Sequence, residues 1–155
     1  MALEEQVVEK LIEKNYKISF AESCTGGLCC GTLVNVTNAS KVLDMSFVTY
    51  ANEAKIKLLG VNASTILDHG VVSEEVAYEM AQGVAETARS NVGVGITGVA
   101  GPGGGTEKKP VGMVCFGFCI NGKTVAFTKQ FGEIGRNQVR KSSIEFVLQT
   151  LLDLI

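Results

Sequence analysis

Ser23 stands in Ala21-Glu22-Ser23-Cys24-Thr25-Gly26-Gly27, between the apolar run Ile18-Ser19-Phe20 and the apolar segment from Leu28 to Val34. A strand breaking into a helix here would set a hydroxyl beside unpaired backbone N–H groups. Such a helix start favours negative charge, including a developing oxyanion. Two readings are open: Ser23 as a nucleophile, or Ser23 and Thr25 as simple helix caps. Tyr50 and Lys55 offer a phenol and an amine a few residues apart, with Lys57 as an equally available decoy. A solvated lysine is the default. A lysine desolvated enough to be neutral could instead take the proton of Ser23. The third segment, Thr97-Gly98-Val99-Ala100-Gly101-Pro102-Gly103-Gly104-Gly105-Thr106, is too glycine-dense for an ordinary turn. Glycine permits close backbone approach to a ligand, so Gly98, Gly101 and Gly103 are candidate ligand contacts, against the alternative of a mobile loop. It matches neither a Walker A motif nor the dinucleotide glycine spacing. Arg136, Arg140 and Lys141 open the last helix, and a basic first turn opposes the helix dipole. A solvated helix start is the default, and the opposed dipole mildly favours a specific task for Arg136, such as holding a phosphate or carboxylate bidentately.

These residues need a scaffold, and the chain predicts one. Leu3, Val7, Val8, Leu11 and Ile12 share one face of a first helix ending near Asn15. Strands are expected over 17–21, 46–50 and 92–97, with helices over 25–36, 52–59 and from Ser73 to about Ala88. Ser73 is placed to cap the last of these, with Glu74 and Glu75 in its first turn. Residues 111–120 and 124–130 read as strands joined by Asn121-Gly122, the strongest short hairpin signal. A final helix covers about Arg136 to Leu154. Alternating strands and helices followed by a hairpin imply an α/β fold, a three-layer α/β/α sandwich on a mixed, mostly parallel five-stranded sheet. In such sheets ligands collect at the carboxyl ends of parallel strands, and the three chemical segments leave those ends.

Composition sets limits. A chain of 155 residues suits one domain, 1–155, with a full core. A formal charge of −2 and no basic stripe argue against a nucleic-acid binder. No apolar run approaches a membrane span. Five cysteines, an odd number without a Cys-x-x-Cys pair, suit packed thiols in a reducing cytoplasm better than disulfides or zinc. The lone His69 leaves no His-rich metal site, and neither a metal nor a cofactor is expected.

Several blocks together resemble the CinA C-terminal domain family. They are Ala21 to Gly27, Tyr50-Ala51-Asn52-Glu53-Ala54-Lys55, Gly70 to Ala77, Gly95 to Gly104, and Pro110-Val111-Gly112, in order over about residues 5 to 150. The resemblance implies a metal-independent serine amidohydrolase that converts nicotinamide mononucleotide to nicotinate mononucleotide and ammonia, on a three-layer α/β/α fold. It implies Ser23 as nucleophile, Lys55 as proton-transfer partner and Tyr50 in support of it, with Thr97 and Arg136 at substrate-binding positions. The backbone around Thr25 and Gly26 is then the physical candidate for the oxyanion hole. The family also implies a homo-oligomer, a dimer or higher. The alternative is a non-catalytic nucleotide- or partner-binding module. One departure stands out: Met45-Ser46 replaces the Gly-Gly pair usual before the tyrosine, and larger side chains there are expected to reshape the pocket floor. Longer members carry a further N-terminal nucleotide-processing domain. A chain opening at Met1 on the family's first helix suits a stand-alone protein or an excised domain.

Overall fold

The computed structural model describes all 155 residues, Met1–Ile155. The element order is α1 (Leu3–Lys14), β1 (Ile18–Glu22), α2 (Leu28–Leu33), β2 (Phe47–Val48), α3 (Asn52–Leu59), α4 (Ala63–His69), α5 (Glu74–Ala88), β3 (Val92–Gly98), β4 (Met113–Ile120), β5 (Lys123–Gln130) and α6 (Arg136–Leu154). A single 3₁₀ turn, Ala39–Lys41, lies between α2 and β2. The five strands form one sheet in the order β2-β1-β3-β4-β5. β1 pairs in parallel with β2 and β3, and both β3–β4 and β4–β5 are antiparallel. Four strands therefore run one way and β4 alone runs back, as a mixed, mostly parallel sheet requires.

The period-2 alternation of the strands sorts the layers. Ile18, Phe20, Val92, Val94, Ile96, Val114, Phe116 and Phe118 join the main core with Val7, Val8 and Leu11 of α1 and Val139, Val147 and Leu151 of α6. On the opposite face Ala21 packs with Leu59 of α3 and Val76, Met80 and Val84 of α5. Burying these side chains supplies the main driving force for the sandwich, about 1.5–3 kcal/mol for each large apolar residue.

α5 lies very close to the sheet because the strand residues beneath it are small. A methyl group at Gly117 would sit 2.1 Å from the Ala77 carbonyl oxygen, and one at Gly95 2.6 Å from the same atom. Gly117→Ala is accordingly expected to lose about 1–3 kcal/mol or more of stability through overpacking. A urea titration checks it, and an unchanged midpoint would refute the close packing.

Local signals account for most boundaries. Ser73 Oγ accepts from the Val76 N–H and caps α5, as expected. Asn121 (φ 48) and Gly122 (φ 84) both occupy the left-handed region, as the tight β4–β5 hairpin demands. α2 differs from its expected 25–36. Gly26 (φ 57) and Gly27 (φ 99) are left-handed, so regular helix cannot begin before Leu28. α4 was not expected at all; it is a short, exposed helix with no buried residue, so no apolar periodicity marks it. No helix is long and apolar enough to cross a membrane.

Candidate active site

β1 is the point from which the chain leaves in opposite directions. It passes to β2 on one side through α2, and the later chain returns to β3 on the other through α3, α4 and α5. Ligand crevices form outside the carboxyl ends of strands at such a switch. The end of β1 is held from both neighbours. The Thr49 N–H donates to the Glu22 carbonyl at 2.8 Å, and the Ser23 N–H donates to the Ile96 carbonyl at 3.1 Å. Ser23 thus enters the crevice from a fixed backbone.

A cavity of about 290 Å³ opens at this point. It is walled by Ser23, Tyr50, Lys55, Thr97, Gly98, Gly101, Gly103 and Arg136 among others. Eight of the residues singled out in the sequence therefore meet in one place. Cys24, Asn52, Val71, Val72, Val99, Ala100 and Gly104 complete the wall without having been expected as contacts. Val71 is tied in by Thr97, whose hydroxyl donates to the Val71 carbonyl at 3.0 Å.

The lysine ambiguity resolves by helix face. Lys55 shares the buried face of α3 with Leu59, whereas Lys57 is exposed. Lys55 is 1% exposed. Its Nζ donates to the Thr49 carbonyl at 2.6 Å and to Ser23 Oγ at 3.0 Å, with the Tyr50 carbonyl at 3.4 Å. No carboxylate lies within 4 Å of it. Burial without a counter-charge favours the neutral amine, and the pKa falls from 10.5 to about 8. In that neutral form the two N–H groups suit the two carbonyls, and the lone pair faces the serine hydroxyl. The neighbouring Cys24 goes the other way. Burial pushes its thiol up to about 11, against the pull of the Arg140 charge, so the sulfur stays protonated at neutral pH.

Tyr50 does not serve Lys55 with its side chain. The ring is 61% exposed, and its hydroxyl accepts from Arg136 Nη2 at 2.9 Å. Only the Tyr50 carbonyl approaches the amine. Arg136 also donates through Nη1 to the Gly101 carbonyl at 2.8 Å, so one guanidinium joins the glycine loop to the tyrosine.

Thr25 and Gly26 are corrected as substrate contacts. Neither lines the cavity. Thr25 is fully buried, its hydroxyl meets no partner, and the Gly26 N–H is committed to the Ser23 carbonyl at 3.0 Å. Neither the Cys24 nor the Thr25 N–H donates to another residue, and of the two only Cys24 lines the cavity beside Ser23. The oxyanion-hole candidate moves back by one residue. The capping reading of Ser23 and Thr25 also falls, since no side chain caps α2 at its N-terminal residue.

Glu22 does that work instead. Its buried carboxylate accepts from the N–H groups of Cys29 at 2.8 Å and Cys30 at 2.9 Å. An acid at the end of β1 thereby neutralises the start of α2 and closes the Ser23 turn from behind. Glu22→Gln replaces one accepting oxygen by an N–H₂ facing a donor. It is expected to reduce stability by about 1–3 kcal/mol, read by chemical denaturation. Full retention of stability would show that the carboxylate is dispensable.

Met45 and Ser46 do not form the pocket floor. Neither borders the cavity, Met45 is exposed, and Ser46 Oγ accepts from the Phe20 N–H at 3.0 Å. The hydroxyl completes the β1 edge where two-residue β2 is too short to do so. No group of three or more His, Cys, Asp or Glu side chains is placed to hold a metal ion.

The sequence profile of the CinA C-terminal domain matches residues 1–155. The competence-damage inducible protein of Alkaliphilus oremlandii is 49% identical over 151 residues, which are 97% of this chain and 36% of that protein. A CinA-like protein of Kosmotoga olearia is 47% identical over 158 residues, covering 99% of this chain and 38% of its own length. The chain thus spans little more than a third of these curated relatives. Among solved structures, the competence/damage inducible protein CihA from Agrobacterium tumefaciens superposes with a TM-score of 0.92 at 38% identity, over 99% of this chain and 96% of that one. A competence-damaged protein (CinA) superfamily protein from Escherichia coli gives 0.94 at 34% identity, over 99% and 88%. On these grounds the chain belongs to the CinA C-terminal domain family.

Proposed function

We propose that the protein is a serine amidohydrolase that uses Lys55 as its base and hydrolyses the carboxamide of nicotinamide mononucleotide. The observation that carries this reading is the 3.0 Å contact between Ser23 Oγ and a buried Lys55 whose pKa is lowered to about 8. A serine hydroxyl is a weak nucleophile until a neighbouring base takes its proton. Neutral Lys55 takes that proton as Oγ bonds to the amide carbon. The carbonyl oxygen becomes an oxyanion beside the Cys24 N–H. The resulting ammonium returns its proton to the amide nitrogen, the C–N bond breaks and ammonia leaves. Lys55, neutral again, takes a proton from water, whose oxygen attacks the acyl ester. Nicotinate mononucleotide departs and the serine is restored.

The Arg136 side of the cavity lining suits a nucleotide. Arg136 has no carboxylate partner, and its guanidinium stands between the glycine loop and Tyr50. A phosphate there would find a fixed charge and exposed backbone. Ammonia release from nicotinamide mononucleotide by the purified protein tests the reading. Turnover that follows the folded protein supports it. No turnover with or without added divalent metals would remove this substrate and favour the binding-module alternative.

A further inference from the structure

Arg140 follows Arg136 by one turn of α6, yet it does not line the cavity. Its Nε donates to the Cys24 carbonyl at 3.1 Å and its Nη2 to the Thr25 carbonyl at 3.0 Å. Nη1 reaches Asn137 Oδ1 at 3.5 Å, and no carboxylate lies within ion-pairing distance. The rigid fork of a half-buried cation is thus applied to two successive backbone carbonyls, those directly after the candidate nucleophile. A lysine, with a compact ammonium, could not match both at once.

Peptide geometry carries the effect further. In a trans peptide the N–H points opposite to the C=O of the same unit. The Thr25 carbonyl, held by Arg140, shares its unit with the Gly26 N–H. That N–H donates to the Ser23 carbonyl at 3.0 Å. The Ser23 carbonyl in turn shares its unit with the Cys24 N–H, which donates to no other residue, and Cys24 lines the cavity. Two hydrogen bonds and two peptide groups therefore connect the guanidinium to the N–H directly after the nucleophile. A carbonyl that accepts a hydrogen bond becomes more polarised, and its N–H becomes a stronger donor. In such chains the strengthening is about 10–30% per bond.

We propose that Arg140 is a positioning residue. It fixes the Ser23 turn and, through this relay, aims and polarises the Cys24 N–H as the oxyanion donor. The inference rests on Ser23 being the nucleophile, but not on the identity of the amide.

The test therefore includes a probe with no carboxamide. Phenylmethylsulfonyl fluoride transfers its sulfonyl group to an activated serine with loss of fluoride, and intact-protein mass follows the rate. Wild type, Arg140→Ala, Arg140→Lys and Arg140→Ala with added methylguanidinium are compared, beside kcat and KM for nicotinamide mononucleotide. Deleting a direct oxyanion donor costs about 10²–10³-fold, and an indirect support is expected to cost at least about tenfold in labelling rate and kcat. KM is expected to stay within about twofold. Methylguanidinium should recover part of the loss, and Arg140→Lys, holding one carbonyl, should fall between. If Arg140→Ala fails to fold, Arg140→Lys still decides through its kcat and labelling rate. Labelling at the wild-type rate in folded Arg140 variants would overturn the proposal. So would a defect confined to KM, or one that neither methylguanidinium nor lysine relieves. An unlabelled wild-type Ser23 overturns it together with the nucleophile assignment. Arg140-dependent labelling without ammonia release would remove the substrate reading and leave this one standing.

Discussion

Ser23→Ala is expected to lower amide hydrolysis by at least about 10⁴-fold, because the covalent route disappears with its nucleophile. The fold should be untouched. Ser23 is only partly buried, its N–H stays on the Ile96 carbonyl, and the hydroxyl's sole side-chain partner is Lys55. Substrate binding should survive, since Arg136 is held by the Gly101 carbonyl and the Tyr50 hydroxyl and not by Ser23. Equilibrium binding of nicotinamide mononucleotide to Ser23→Ala, measured beside its turnover, separates the two roles. Turnover near the wild-type level would mean that water, or another group, attacks directly. Cys24→Ser offers a control, because the Cys24 thiol, raised to about 11, has no thiolate to contribute near neutrality.

Lys55→Met carries the second large effect. Methionine keeps much of the length but cannot hold a proton, and the loss of a positioned base is expected to cost about 10²–10⁴-fold. The pH profile is the sharper readout. Active enzyme requires neutral Lys55, so wild-type kcat/KM should rise with pH through about 8 and level above it. The same group makes stability depend on pH, with a definite sign. The unfolded chain holds this proton up to its ordinary value of 10.5, and the folded protein releases it at about 8. Between those values the unfolded state binds more protons, so this contribution to stability rises with pH across that window and is lowest below 8. Lys55→Met should lack both the activity limb and this component of the stability rise. A wild-type profile that is flat through pH 8, or a rise that persists in Lys55→Met, would assign the titration elsewhere.

Much of this architecture was legible in the residues. The ranges expected for two helices, 52–59 and about 136–154, are those of α3 and α6, and the hairpin follows from Asn121-Gly122. The convergence of Ser23, Lys55 and Thr97 follows from the rule that parallel strands gather their carboxyl-end loops. What stayed hidden depends on long-range contacts or on backbone sign. Gly26 and Gly27 in left-handed conformations delay α2, and an apolar stretch after them carries no trace of that delay. Glu22 looked like one more motif residue; its partnership with two N–H groups appears only once the turn is closed. Lys55 and Lys57 could not be separated until α3 had a buried face. Arg140 acts on carbonyls more than a hundred residues away, and nothing in its local sequence distinguishes it from Lys141. The pair Met45-Ser46 lies off the cavity, because Ser46 Oγ holds the Phe20 N–H of β1 and Met45 is exposed, which only the register of the short β2 reveals.

The most direct measurement is the mass of the protein during turnover. Acid quenching within the first turnovers on nicotinamide mononucleotide, followed by peptide mapping, shows whether a covalent intermediate forms and on which residue. The account predicts an adduct on the peptide containing Ser23, with the mass of the substrate less ammonia, that is absent from Ser23→Ala. Steady turnover with Ser23 unmodified at every quench time and undiminished in Ser23→Ala, or an adduct on Cys24 instead, would contradict the serine–lysine mechanism.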